Sequence, residues 1–310
     1  GQYEHAREVL VDLYTTPELS ETLLPEAARH YAQVLLALGE ARAAVQPLET
    51  ALQLQPDQPD LHLVYARTLL SLHQNPAQAL ISAQKVLQAD PESLEAQGWM
   101  AAALDQVGQV LPAFQAYQQL LDTPLAKDPE WRARLSYGIG RTGLTLGKPE
   151  LALAAVQEAV QLVPGCVEYQ QQLAEGFWAV NLAPNALQTA HTALQLDQDN
   201  PDTLAWYADQ ILRALQPSGY RAGNPIVEVT GQPGTAEAIN VICHALEIQP
   251  RRADLFTRLA RLQTLAGQPE QALDSLQEIL NFESLPMILY QEAANLAEDA
   301  GSSRLAADLY

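Results

Sequence analysis

One spacing constrains this chain more than any other feature. Small residues recur about every 34 positions: Ala32, Ala66, Ala101, Gly140, Ala174, Ala208, Ala260 and Ala294 are separated by 34, 35, 39, 34, 34, 52 and 34 residues. A second series lies downstream of most of them, a Gly or Asn followed after four residues by Ala. It reads GQYEHA (1–6), GEARAA (39–44), GQVLPA (108–113), GKPELA (147–152), NLAPNA (181–186), GQPEQA (267–272) and GSSRLA (301–306). A third series consists of Pro56, Pro91, Pro124, Pro164, Pro201 and Pro250. Three independent series at one period define a repeat architecture, in which each unit buries its apolar face against its neighbours.

Each unit reads as two helices. In residues 26–38, Ala28, Tyr31, Ala32, Leu35 and Leu38 fall on one helical stripe. Gly39 then suits the left-handed residue that closes a helix. A second helix follows over about 40–53, with Ala44, Leu48, Ala51 and Leu52 on one face. Pro76, Pro149, Pro184 and Pro269 stand where second helices begin, because a first helical turn leaves the proline nitrogen without need of a partner. Small residues allow close helix approach, while Tyr31, Trp99, Tyr207 and Leu259 fill the space between units. Pro47 falls inside a second helix and is expected to bend it rather than end it. The composition agrees: hydrophobic residues reach 48% with only 6% aromatics, so Ala and Leu, strong helix formers, carry the apolar content.

These residues resemble the tetratricopeptide repeat family over essentially the whole chain. The resemblance implies an all-α fold, a right-handed superhelical α-solenoid of antiparallel helix pairs. First helices would line a concave groove and second helices a convex back. The expected organisation is one continuous array over 1–310. A partial repeat occupies 1–24, full repeats start near 25, 59, 94, 133, 167, 201 and 253, and a partial repeat covers 286–310. Both ends fall inside repeats, which reads as a segment of a longer protein. Residues 122–129 form a widened joint. Residues 216–235 (QPSGYRAGNPIVEVTGQPGT) form a loop insertion with a β-prone stretch at 226–229. Tyr220, Arg221, Ile226 and Val229 are its candidate contact residues, and a tolerated surface insertion is the alternative.

Catalytic and metal chemistry find little support. None of the six histidines has HExxH spacing, no Gly-Lys-Ser/Thr follows the glycines near 219–234, and there is no Cys-x-x-Cys element. Cys166 and Cys243 read as buried free thiols. No cofactor and no metal are expected, and the segment is read as non-enzymatic. The net charge of −20 argues against broad binding to nucleic acid or anionic membrane. No apolar run approaches the length of a membrane span, and no signal peptide is present. A cytoplasmic location is therefore expected, with targeting signals left open because the chain begins at Gly1.

The arginines carry the functional reading. Lysine is scarce, at Lys85, Lys127 and Lys148, and ten of 14 arginines map to first helices or their starts. Arg134, Tyr137 and Arg141 share one helical face through spacings of three and four, and Arg258 and Arg261 make a similar pair. Trp178 and Trp206 lie on first helices too, and Trp and Arg are favoured interface anchors. These seven residues are the candidate groove site for a protein or peptide partner, one that could be acidic and held through bidentate pairs. The alternative is that the arginines satisfy internal acids such as Glu168, Glu175 and Asp209. The family's chaperone-binding carboxylate clamp is not matched, because Arg29, Gln33, Val64, Glu95 and Trp99 stand at the compared positions and its asparagines are missing. The leading function is a scaffold that holds an extended peptide or helix. Alternatives are the sensor or regulatory arm of a larger signalling protein or enzyme, an NTPase or protease, and a cell-envelope assembly factor.

Overall fold

The computed structural model describes residues 2–15, 23–215, 234–282 and 285–309. The described residues are helical, with no strand among them. They form two compact units, residues 1–164 and 165–310. In the first unit, α1 (Gln2–Thr15) precedes the pairs α2 (Leu24–Ala37) with α3 (Ala41–Leu54) and α4 (Pro59–Ser71) with α5 (Pro76–Ala89). Next come α6 (Leu94–Gln106) with α7 (Val110–Leu121) and α8 (Pro129–Thr145) with α9 (Pro149–Leu162). The second unit pairs α10 (Val167–Ala179) with α11 (Ala183–Leu196) and α12 (Pro201–Leu215) with α13 (Thr235–Ile248). It continues with α14 (Ala253–Leu265) and α15 (Pro269–Gln277), then α16 (Met287–Asp299) and α17 (Ser303–Leu309). Within each unit a helix packs on its sequence neighbours, and first helices also touch the next first helix, as in α4–α6, α6–α8, α12–α14 and α14–α16. This is the α-solenoid class.

The repeat spacing has a direct structural cause. Ala32, Ala66, Ala101, Ala174, Ala208, Ala260 and Ala294 are all fully buried. So are their partners from the second series, Ala44, Ala113, Ala152, Ala186 and Ala272. Ala6, on the lone second helix α1, is only half-buried. Gly140 takes the alanine position in α8 because Val156 of α9 packs there; an added Cβ would lie 2.0 Å from a Val156 methyl.

Turn chemistry repeats as faithfully. Gly39, Gly108, Gly147, Gly267 and Gly301 adopt left-handed backbone, as does Asn181. In each case the following N–H reaches back five residues, for example from Glu40 to the Leu35 carbonyl at 2.8 Å and from Lys148 to Gly143 at 2.9 Å. This motif satisfies the last carbonyls of the helix. The α4–α5 turn lacks the sequence signature because His73 takes the left-handed position (φ 51°) and Asn75 (φ 42°) caps α5. The Gln74 N–H still bonds the Leu69 carbonyl at 2.9 Å.

Helix α3 runs through Pro47 without ending. The widened joint holds a 3₁₀ turn, Pro124–Lys127, that buries Ala126. Cys243 departs from its sequence reading. It is exposed, because Ile242 and Ala245 take the inward positions of α13. Cys166 is half-buried, and burial pushes its thiol up to about 11.

His62 ties α4, α5 and the preceding turn together. Its Nε2 lies 2.8 Å from the Pro56 carbonyl and its Nδ1 3.3 Å from the Ser82 hydroxyl. Burial, with help from Lys85, holds its imidazole below the usual range against the pull of the Pro56 carbonyl and Asp57. Its contribution to stability is therefore present above the unfolded value of 6.5 and declines as pH falls through the folded value. Thermal melts at about pH 7.5 and pH 5 should show a larger acid-induced loss for the wild type than for His62→Gln. Equal losses would remove His62 as the source. A second expectation concerns the small-residue seam: Ala152→Leu and Ala186→Leu should each lose about 1–3 kcal/mol by overpacking, read from denaturant midpoints.

Candidate protein-binding face

First helices bring the sequence-selected arginines into a series of links between consecutive repeats. In the first unit, Arg141 on α8 donates from Nε to Asp105 on α6 at 2.8 Å, and its terminal nitrogen bonds the same oxygen. The Asp105 carboxylate is only 8% exposed. Burial pushes it up, and the adjoining guanidinium pulls it back toward the charged form. Gln106 of α6 reaches the Leu70 carbonyl at the end of α4 at 3.0 Å.

In the second unit, Arg258 on α14 holds Asp209 of α12 through two bonds of 2.9 and 3.0 Å and reaches Asp254 at 2.7 Å. Arg252 extends the network to Asp202 at 2.6 Å and to Asp254 at 2.9 Å. Arg261 pairs with Glu292 of α16 at 3.0 Å. Arg213 pairs with Glu175 at 2.8 Å, so of the three acids named from sequence Glu175 and Asp209 do take arginines.

Two of these arginines have a different setting. Arg134 lies 5.3 Å over the Trp99 ring and bonds Glu130 at 2.8 Å. Arg213 lies 4.8 Å over the Trp178 ring. Both side chains stay nearly half exposed, at 44% and 47%. The indole nitrogens are engaged, Trp99 with Glu95 at 3.2 Å and Trp178 with Gln210 at 2.8 Å. Trp131 meets Trp99 edge-on at 5.0 Å. Gly98 makes this possible, since a Cβ there would lie 2.6 Å from the Trp131 ring. Trp206 is half-buried and packs against the core around α12 and α13. Tyr137 is half-buried beside Arg141 on α8.

The structure therefore separates the seven candidates. Arg141, Arg258 and Arg261 are committed to neighbouring helices, while Arg134 and Trp178 belong to stacked guanidinium–indole pairs whose arginines stay nearly half exposed. Arg213 and Trp99 complete those pairs, Trp131 adjoins Trp99, and none of the three was among the selected site residues. A signal for them exists in the sequence, because Trp99 to Arg134 and Trp178 to Arg213 are both one repeat apart. Tyr220, Arg221, Ile226 and Val229 lie outside the described residues.

Among the described residues no three His, Cys, Asp or Glu side chains are grouped to hold a metal ion. Nor is any described helix long and apolar enough to cross a membrane. A cavity of about 240 Å³ beside His62 is lined by Pro56, Asp57, Pro59, Lys85, Gln88 and Ala89. Lys85 and His62 both direct their nitrogens to the Pro56 carbonyl there.

No family model and no curated protein matches the sequence. Solved structures do. A tetratricopeptide repeat protein from Parabacteroides merdae superimposes with a TM-score of 0.53 at 13% identity, covering 88% of this chain and 98% of that one. The fold is that of the tetratricopeptide repeat proteins. PilF of Pseudomonas aeruginosa gives a TM-score of 0.51 at 16% identity, over 85% of this chain and 99% of PilF. Human IFIT1, solved as a dimer with m7Gppp-AAAA, gives 0.58 at 14% identity, over 92% of this chain and 70% of that chain.

Removing Arg141 would strand the buried Asp105 carboxylate. Arg141→Ala should therefore cost about 2–3 kcal/mol in stability. Arg42→Ala, on the exposed face of α3, should stay within about 0.5 kcal/mol. Chemical denaturation of the two variants checks the contrast, and equal midpoints would show that the Arg141–Asp105 pair contributes nothing.

Proposed function

We propose that this chain is a protein-interaction scaffold, and that the first-helix side of its repeats holds an extended peptide or helical segment of a partner protein. The observation that carries the reading is the pairing of half-exposed arginine with indole on that side, Arg134 with Trp99 and Arg213 with Trp178. Arg and Trp bring large contact area and directional bonds, and such residues dominate interface energetics. Repeat folds of this type offer extended surfaces rather than enclosed reaction chambers. An acidic partner would draw on these two guanidiniums first, because they are more exposed than those of Arg141, Arg258 and Arg261. The net charge of −20 counts against a ligand such as the m7Gppp-AAAA of the IFIT1 structure. A regulatory arm of a larger protein remains compatible with this reading, since the same surface would serve it.

The test is affinity capture with the wild-type chain and with Arg134→Glu/Arg213→Glu, followed by identification of the bound proteins. A partner whose recovery changes severalfold on charge reversal supports the first-helix side. A partner indifferent to both reversals, and lost instead on Ile81→Glu and Leu111→Glu of the second helices, overturns it.

A further inference from the structure

The two stacked pairs have a chemistry that the other arginine contacts lack. At the first, the Trp99 nitrogen is bonded to Glu95, and the guanidinium above the ring is bonded to Glu130. At the second, the Trp178 ring stands beside Glu175, which holds the guanidinium above it. An electron-rich ring face edged by carboxylates is a receptor for a cation. In both places the cation present is the chain's own arginine, supplied one repeat further along. Trp99 is only 8% exposed, and Arg134 is stacked on it.

These resident cations are weakly held. Arg134 and Arg213 are nearly half exposed, and their carboxylate partners Glu130 and Glu175 are 70% and 37% exposed. Exposed ion pairs contribute little and are screened by salt. Arg141 and Arg258 contrast with them, since Arg141 holds an almost fully buried carboxylate and Arg258 binds two aspartates at once. The surrounding charge of −20 attracts cations and disfavours an incoming carboxylate.

We propose that the Trp99 face in the first unit and the Trp178 face in the second are each a site for an Arg or Lys side chain of a basic partner, and that Arg134 and Arg213 occupy them in the free protein. The proposal rests on the scaffold reading and gives its partner a sign of charge. Binding then proceeds by exchange: the partner's cation takes the ring and the carboxylates, and the resident guanidinium swings into solvent.

The sign of one mutational effect decides it. Fluorescein-labelled acetyl-(Arg-Ala-Lys)₃-amide and the acidic peptide acetyl-(Glu-Ala-Asp)₃-amide are titrated by anisotropy at low salt. The chains are the wild type, Arg134→Gln, Arg213→Gln and the charge-matched control Arg42→Gln. Removing a resident cation should tighten binding of the basic peptide about threefold or more beyond the change seen for Arg42→Gln. Trp178→Leu in the Arg213→Gln chain should abolish the gain, with a melting curve confirming that the chain is folded. If it does not fold, the arginine variants decide alone. Equal affinities for Arg134→Gln, Arg213→Gln and Arg42→Gln would reduce the effect to net charge and overturn the proposal. Acidic-peptide binding that weakens in Arg134→Gln and Arg213→Gln would overturn it in favour of an acidic partner while leaving the scaffold reading intact. Loss of the scaffold reading itself would be seen in the capture experiment, not here.

Discussion

Everything in this fold depends on how closely two helices can approach. Alanines with no exposed surface stand at the crossing of each first helix with its second. A methyl group at that point sets the interhelical distance, and the larger side chains around it fill what is left. A bulkier residue would wedge the pair apart and shift the next helix with it. The glycine in α8 shows the limit of the rule: Val156 takes the space that the alanine methyl would occupy. The closing turn is the second half of the constraint. A left-handed residue and a bond reaching back five positions return the chain at a fixed angle, so that the next alanine meets its partner.

On this frame a small number of cations is distributed unevenly. Of the described arginines, most engage a carboxylate, and several of those engagements connect one first helix with the next. Directional guanidinium–carboxylate bonds then fix how one repeat is set against the next. A chain with many acids and few lysines suits this arrangement, because a guanidinium can hold two carboxylates at once, as Arg258 does.

Most of the fold was legible in the sequence because the two governing features are carried by particular residue types at a fixed period. Ala at the crossing and Gly at the turn are nearly obligatory, so their spacing reports the architecture directly. The α4–α5 turn was harder to read, because its left-handed position is filled by His73 and its cap by Asn75, and neither residue announces that role. The geometry of the candidate site was legible in part. Helical spacing placed Arg134 and Arg141 on one face, yet the same face contains one exposed stacked arginine and one committed to a buried aspartate. Periodicity along one helix cannot separate them, since the difference lies in what the preceding first helix presents: Trp99 to one and Asp105 to the other. Cys243 was misplaced for a similar reason, a one-residue shift from the buried Ile242.

The break in the period between α12 and α13 shows how these terms combine. The alanine spacing grows there from 34 to 52, so the connection carries 18 extra residues. Lengthening a connection by that amount raises the closure cost by roughly 1–2 kcal/mol, because the penalty grows only with the logarithm of length. The flanking helices hold enough contacts to absorb it. Tyr207 of α12 donates to Glu237 in the first turn of α13 at 2.9 Å, and Ala238 and Ile242 are fully buried against the α12 side. Farther along, Arg258 returns to Asp209 and Arg252 to Asp202, so α14 is held to α12 without reference to the connection between them. The helix after the break meets its first helix at the usual small residue. A long insertion is compatible with an unbroken packing register at this point because the register is set by side chains on the helices and not by the turn.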